Sequence, residues 1–204
     1  MKNYIINSII SIFIKPRATI QQIVDKNPED SVMLLACLAG ISNVLNRAAI
    51  RSTGDTMELF EILFFALILG PFVGVISLYS VSFFIHWTGK WIGGTSSLEN
   101  IRAAMAWASI PVVISVSLLI PQVILFGEEL FTTETPILDT SQLLYNTLMI
   151  FFVIDIILAI WSFVLYLNCI GQVQGFSSLK MFGNLLLAGL AIIIPISFFM
   201  FLVV

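Results

Sequence analysis

Five stretches of this chain are apolar for longer than a soluble core element requires, and they constrain its fold more than any other feature. They run over residues 31–50, 59–87, 101–126, 143–168 and 182–204. A helix crosses the roughly 30 Å hydrocarbon layer of a bilayer in about 20 residues, and each run reaches that length. Backbone groups at that depth meet no water, so each segment must satisfy its own N–H and C=O groups, as a helix does. A membrane β-barrel would alternate apolar with polar residues, which "FFALILGPFVGVISLY" does not do. Composition agrees: 59% of residues are hydrophobic and 10% charged, against roughly 25% charged in a soluble domain. The expectation is an all-α polytopic membrane protein with five transmembrane helices. The second run would reach about 43 Å as a straight helix, so it must tilt, protrude or kink, with Gly70-Pro71 as the expected kink.

Basic residues set an expected orientation. With the N-terminus in the cytoplasm, Lys2, Lys15, Arg17, Lys26, Lys90, Arg102 and Lys180 lie inside, and only Arg47 and Arg51 outside. Asp55, Glu58, Glu61, Glu128, Glu129, Glu134 and Asp139 fall outside. Five crossings then place the C-terminus outside, in a plasma (inner) membrane.

Residues 1–30 read as a separate N-terminal interfacial segment ahead of a transmembrane domain over 31–204. "KNYIINSIISIFIK" has a signal-like lysine and apolar stretch, yet it leads into Lys15-Pro16-Arg17 rather than a cleavage site, so it is expected to stay. On a helix, Asn7, Ser8, Ser11 and Lys15 share an arc of about 100°, which predicts an amphipathic interfacial helix with a polar stripe toward water. Pro16 ends it, and a short second helix is expected up to Asn27-Pro28.

Helix ends and contacts are also legible. Ser96 and Glu99 form a Ser-x-x-Glu capping box, worth about 1 kcal/mol, at the start of the third span. Arg102 beyond it is placed to snorkel toward headgroups, and Trp87 and Trp91 suit the same interface. Gly70 with Gly74, Ala104 with Ala108, and Ala36 with Gly40 make small-x-x-x-small pairs that let backbones approach in lipid. Packing within the chain is expected, a homodimer face being the alternative. Pro71, Pro111, Pro121 and Pro195 read as kinks, with solute-binding broken helices as the alternative.

Three segments carry a family resemblance. "KPRATIQQIV" resembles the Pro-x-x-Thr segment that opens prokaryotic members of the Yip family. "GGTSSLENIRAAMAWASIP" is similar to that family's glycine-rich loop and following helix, and "GQVQGFSSLKM" to the loop before its last span. The resemblance implies five spans and a membrane adaptor or assembly role, with another membrane protein as partner, an exporter complex in particular. Eukaryotic relatives act in vesicle traffic through a longer N-terminal region and an Asp-Leu-Tyr-Gly-Pro motif. Here that motif is reduced to Leu69-Gly70-Pro71, a departure that argues against Rab-type binding.

Counting argues against catalysis. His86 is the single histidine, so neither a two-histidine metal site nor a His-Glu-x-x-His helix can form. It reads as an interfacial imidazole beside Trp87. Cys37 and Cys169 read as buried free thiols. Net charge of −3 without a basic cluster offers no nucleic-acid footprint, and no motif calls for a cofactor. The polar anomaly is Asp155, inside the fourth span, where a charge is costly and needs a partner. Asn43, Asn46 and Arg47 on the first span are the expected partners, with Arg47 reaching inward. The expected function is therefore a scaffold in the bilayer, self-association being open. The alternative is a small transporter or channel subunit using Asp155 for proton or cation coupling.

Overall fold

The computed structural model describes the backbone of residues 2–203 and the side chains of 8–195, 197 and 200. The side chains of Lys2 and Asn7, and Val204 at the end of the last expected span, lie outside the described residues. Helices α1 (Lys2–Ile14), α2 (Pro16–Lys26), α3 (Val32–Ile50) and α4 (Leu59–Trp91) are followed by α5 (Leu98–Ala108) and α6 (Ile110–Phe126). Then come α7 (Pro136–Thr140), α8 (Gln142–Gln174) and α9 (Ser178–Val203), with 3-10 turns at Thr53–Asp55 and Gly127–Leu130. Among the described residues, five stretches are long and apolar enough to cross a membrane: α3, α4, Leu98–Leu130, α8 and Ser178–Pro195 of α9. The expected all-helical, five-span fold is the one the chain adopts.

Prolines place the breaks, at Pro16 and Pro28 as the sequence suggested and at one further position. Pro16 opens α2 at the first helical position, where its missing N–H costs nothing. Asn27, before Pro28, is extended and ends α2. At Pro71 α4 remains helical. The third span, expected as one kinked helix, instead divides at Ser109 into α5 and α6. Pro111 explains this division, because it has no N–H to offer the carbonyl of Trp107.

The residues form two compact units. The first comprises 1–33, 77–108 and 163–204. Within it, α2 buries Thr19, Ile20, Ile23 and Val24 and packs on α1 and α5. Helix α5 is buried almost all round, and Trp107 donates its Nε1–H to the carbonyl of Asp30 at 3.2 Å. On α1, Ser8 is buried and Ser11 shares a 2.7 Å hydrogen bond with Thr19, whereas Ile10 and Ile14 are exposed. The described serines of the expected stripe thus face protein rather than water, because α2 offers a hydroxyl partner on that side.

The second unit comprises 34–76 and 109–162. Leu45, Ile62, Ala66 and Phe131 form its buried cluster. Helices α3 and α4 meet at small residues: a Cβ on Gly40 would overlap the carbonyl oxygen of Gly70 and lie 2.6 Å from Gly74 Cα. One on Gly74 would overlap the carbonyl of Ala36. The Ala36/Gly40 and Gly70/Gly74 pairs face each other. Exposed Phe60, Phe72, Ile124, Phe152 and Ile157 carry no penalty in lipid, which is as apolar as they are.

Candidate functional site

Asp155 lies half-buried on α8 within the second unit. Its carboxylate oxygen Oδ2 accepts a hydrogen bond from Gln122 Nε2 of α6 at 3.3 Å. A cavity of about 20 Å³ lies beside the pair, lined by Ser42, Asn46, Ser115, Gln122 and Asp155, with Leu45, Val116 and Leu119 as its apolar wall. Ser42 and Ser115 share a 3.4 Å contact there, and Ser115 also donates to the carbonyl of Val112 at 2.7 Å. Three helices therefore converge on one polar space with a single carboxylate.

Of the expected partners, Asn46 lines this cavity. Asn43 does not: it is exposed and donates to the carbonyl of Ala39 at 2.9 Å, one turn back on its own helix. Arg47 is exposed, and the carboxylate's partner is the neutral amide of Gln122. Sequence reasoning missed Gln122 although the signal was present, since an amide inside an apolar run is the same anomaly that flagged Asp155. Ser42 and Ser115 gave none, because a helical serine can bond its own backbone anywhere.

The first unit holds a second polar system. Arg17 of α2 donates Nε–H to Asn168 Oδ1 at 3.2 Å and an Nη2–H to the carbonyl of Phe176 at 3.1 Å. A further bond reaches Ser178 Oγ at 3.1 Å, and Ser178 in turn donates to Asn168 Oδ1. The guanidinium thus ties α8 at Asn168, the loop at 176 and the start of α9. Fully buried Asn184 of α9 donates to the Ile85 carbonyl at 3.0 Å and accepts from Thr88 Oγ1 at 2.8 Å. Gln174 is buried against Gly89 and Gly94, where a Cβ would overlap its Oε1. The two loops quoted for the family resemblance meet at that amide.

The helix cap is displaced by one residue. Because α5 begins at Leu98, Ser97 is the capping residue, and its Oγ accepts from the Asn100 N–H at 3.2 Å. Ser96 donates to the carbonyl of Ser97, and Glu99 lines a cavity of about 160 Å³ with Glu29 and Arg102. Arg102 lies over the Tyr79 ring, 4.6 Å from its centre, a cation–π contact. Ala104 and Ala108 are fully buried. Trp87 and Trp91 stack edge-to-face at 4.7 Å, and His86 is half-buried beside them. Both cysteines are free, Cys169 buried and Cys37 half-buried.

In the second unit the loops are bonded through carboxylates. Asp55 accepts from the Thr133 N–H at 2.8 Å and Thr133 Oγ1 at 2.6 Å, which holds its carboxyl below the usual carboxylate range. Glu129 accepts from the N–H groups of Ile137 and Leu138 at the start of α7, at 2.7 and 2.9 Å.

Five spanning segments, with polar side chains engaged inside them, define a multi-pass integral membrane protein. The family model of the Yip1 domain matches residues 10–200, so the chain belongs to the Yip1 domain family. The likeness read in three short segments therefore extends over nearly all of the chain. No curated protein and no solved structure matches it.

Proposed function

We propose that this Yip1-family membrane protein is a non-catalytic scaffold or adaptor that binds or helps assemble another membrane complex, an exporter being the candidate. One observation carries the reading. The cavity at the intramembrane acid measures about 20 Å³, room for one water-sized particle and not for a solute path. Within the spans, Asn184 and Thr88 bond to each other and Asn184 also to backbone, and Asn168 accepts from Arg17 of α2, so these polar groups are engaged in packing. The proposal places residues 1–30 at the cytoplasmic face of the plasma membrane, residues 31–204 across it and the C-terminus outside. The loops at 92–97 and 175–177 then offer the cytoplasmic contact surface.

Cross-linking in the native membrane followed by purification in mild detergent tests the role. A membrane complex recovered in fixed ratio supports a scaffold. The protein alone conducting protons or cations in liposomes overturns it in favour of a transporter built on Asp155. The divided third span favours that second reading, since solute sites in transporters lie at discontinuous helices. Labelling of single cysteines at positions 26 and 134, in a chain lacking Cys37 and Cys169, tests orientation. Reaction of both from the same side overturns it.

A further inference from the structure

We infer that the cavity beside Asp155 is a site for one sodium ion. The inference does not depend on the scaffold reading, because an ion can be held without being passed across the membrane.

The lining carries one carboxylate, two hydroxyls and two amides, and neither imidazole nor thiolate. The Asp155 carboxylate and the hydroxyls of Ser42 and Ser115 supply oxygen. The amides of Gln122 and Asn46 each carry a carbonyl oxygen, which Gln122 offers when a cation replaces its N–H contact with Asp155. Oxygen donors without imidazole or thiolate select hard cations. Calcium takes six to eight oxygens, several from carboxylates, and magnesium keeps much of its water, for which a cavity of about 20 Å³ has no room. A single carboxylate balances one positive charge. The space admits one small dehydrated ion and disfavours larger potassium.

The polar groups are held apart around that space. Gln122 reaches Asp155 at 3.3 Å and Ser42 reaches Ser115 at 3.4 Å, both at the long end of hydrogen bonding. Elsewhere in the same unit Thr133 closes on Asp55 at 2.6 Å. Ser42 and Gln122 are only 4% and 8% exposed, so bulk water does not satisfy them. The amide of Gln122 brings no countercharge, and exposed Arg47 is not among the cavity's lining residues. An ionised carboxylate inside a span needs compensation, which a bound cation supplies and a proton replaces when the ion is absent.

The test uses the purified full-length chain, unfolded by heat in sodium, potassium or choline chloride at equal ionic strength. Sodium should raise the midpoint saturably, and potassium much less. Dicyclohexylcarbodiimide, which attacks protonated carboxyls in apolar surroundings, should label Asp155, with the site read by mass spectrometry. By mass action, sodium at ten times its Kd should slow that labelling about elevenfold. Asp155→Asn should abolish the sodium response, and Ser115→Ala should shift it to higher sodium concentration. Equal midpoints in sodium and choline for the unaltered chain overturn the proposal without recourse to a variant. So does carbodiimide labelling that sodium leaves unchanged; the cavity then holds a bridging water.

Discussion

The side-chain amide of Asn184 donates to the backbone carbonyl of Ile85 at 3.0 Å, with both residues fully buried. The same side chain accepts from Thr88, so it links α9 to α4 through two bonds. Asn184→Leu removes both. Interhelical hydrogen bonds in membranes are each worth about 0.6 to 2 kcal/mol, so the variant should lose about 1–3 kcal/mol. Unfolding in a denaturing-detergent titration measures it, and an unchanged midpoint refutes the link.

Gly40 should tolerate no side chain. Its Cβ would meet backbone of Gly70 and Gly74, which cannot swing aside, so Gly40→Ala should destabilise by about 1–3 kcal/mol. Gly189, also helical, has nothing within 4 Å of its added Cβ. Gly189→Ala should be neutral or stabilising by up to about 1 kcal/mol, and comparing the two melts checks the contrast.

Arg17 holds three acceptors in one planar fork, which a lysine cannot reproduce. Arg17→Lys keeps the charge yet should weaken the hold on α2 nearly as much as Arg17→Ala. Limited proteolysis at 26–31 should speed up several-fold in both. Full protection in the lysine variant would mean that charge alone suffices.

The Asp55–Thr133 contact should respond to acid. Thr133 bonds to the ionised carboxylate and lowers its pKa from the ordinary 3.8. A depressed folded-state pKa means the contact contributes fully above the unfolded value and is lost as pH falls through the folded one. The 127–141 loop should therefore stay protected through neutral and mildly acid pH and become open to pepsin only below about pH 4. Asp55→Asn should expose it at every pH at which pepsin cuts.

Much of this architecture can be read before any folding is considered. Hydropathy reports the transfer of one segment from water to lipid, a property each segment has alone, so the five spans follow from residue order. The small pairs at Ala36/Gly40 and Gly70/Gly74 were readable for a similar reason: a helix brings residues four apart onto one face. The break at Ser109 was half visible, since Pro111, Pro71 and Pro121 look alike in sequence. Only Pro111 coincides with a division of the helix. Ser97 rather than Ser96 caps α5 because the cap is the residue immediately before the first helical one, which adjacent serines do not distinguish.

Which polar groups meet was decided at the tertiary level. Asn43 and Asn46 lie about 60° apart around the same helix, and a modest rotation of α3 chooses between them. That rotation depends on the Gly40 contact with α4, and the carboxylate of Asp155 finds its partner on α6, in Gln122, rather than in Arg47 of α3. Insertion into lipid is a property of single helices and is written locally along the chain. The polar contacts depend on the angles at which pairs of helices pack, so they exist only once the helices are together.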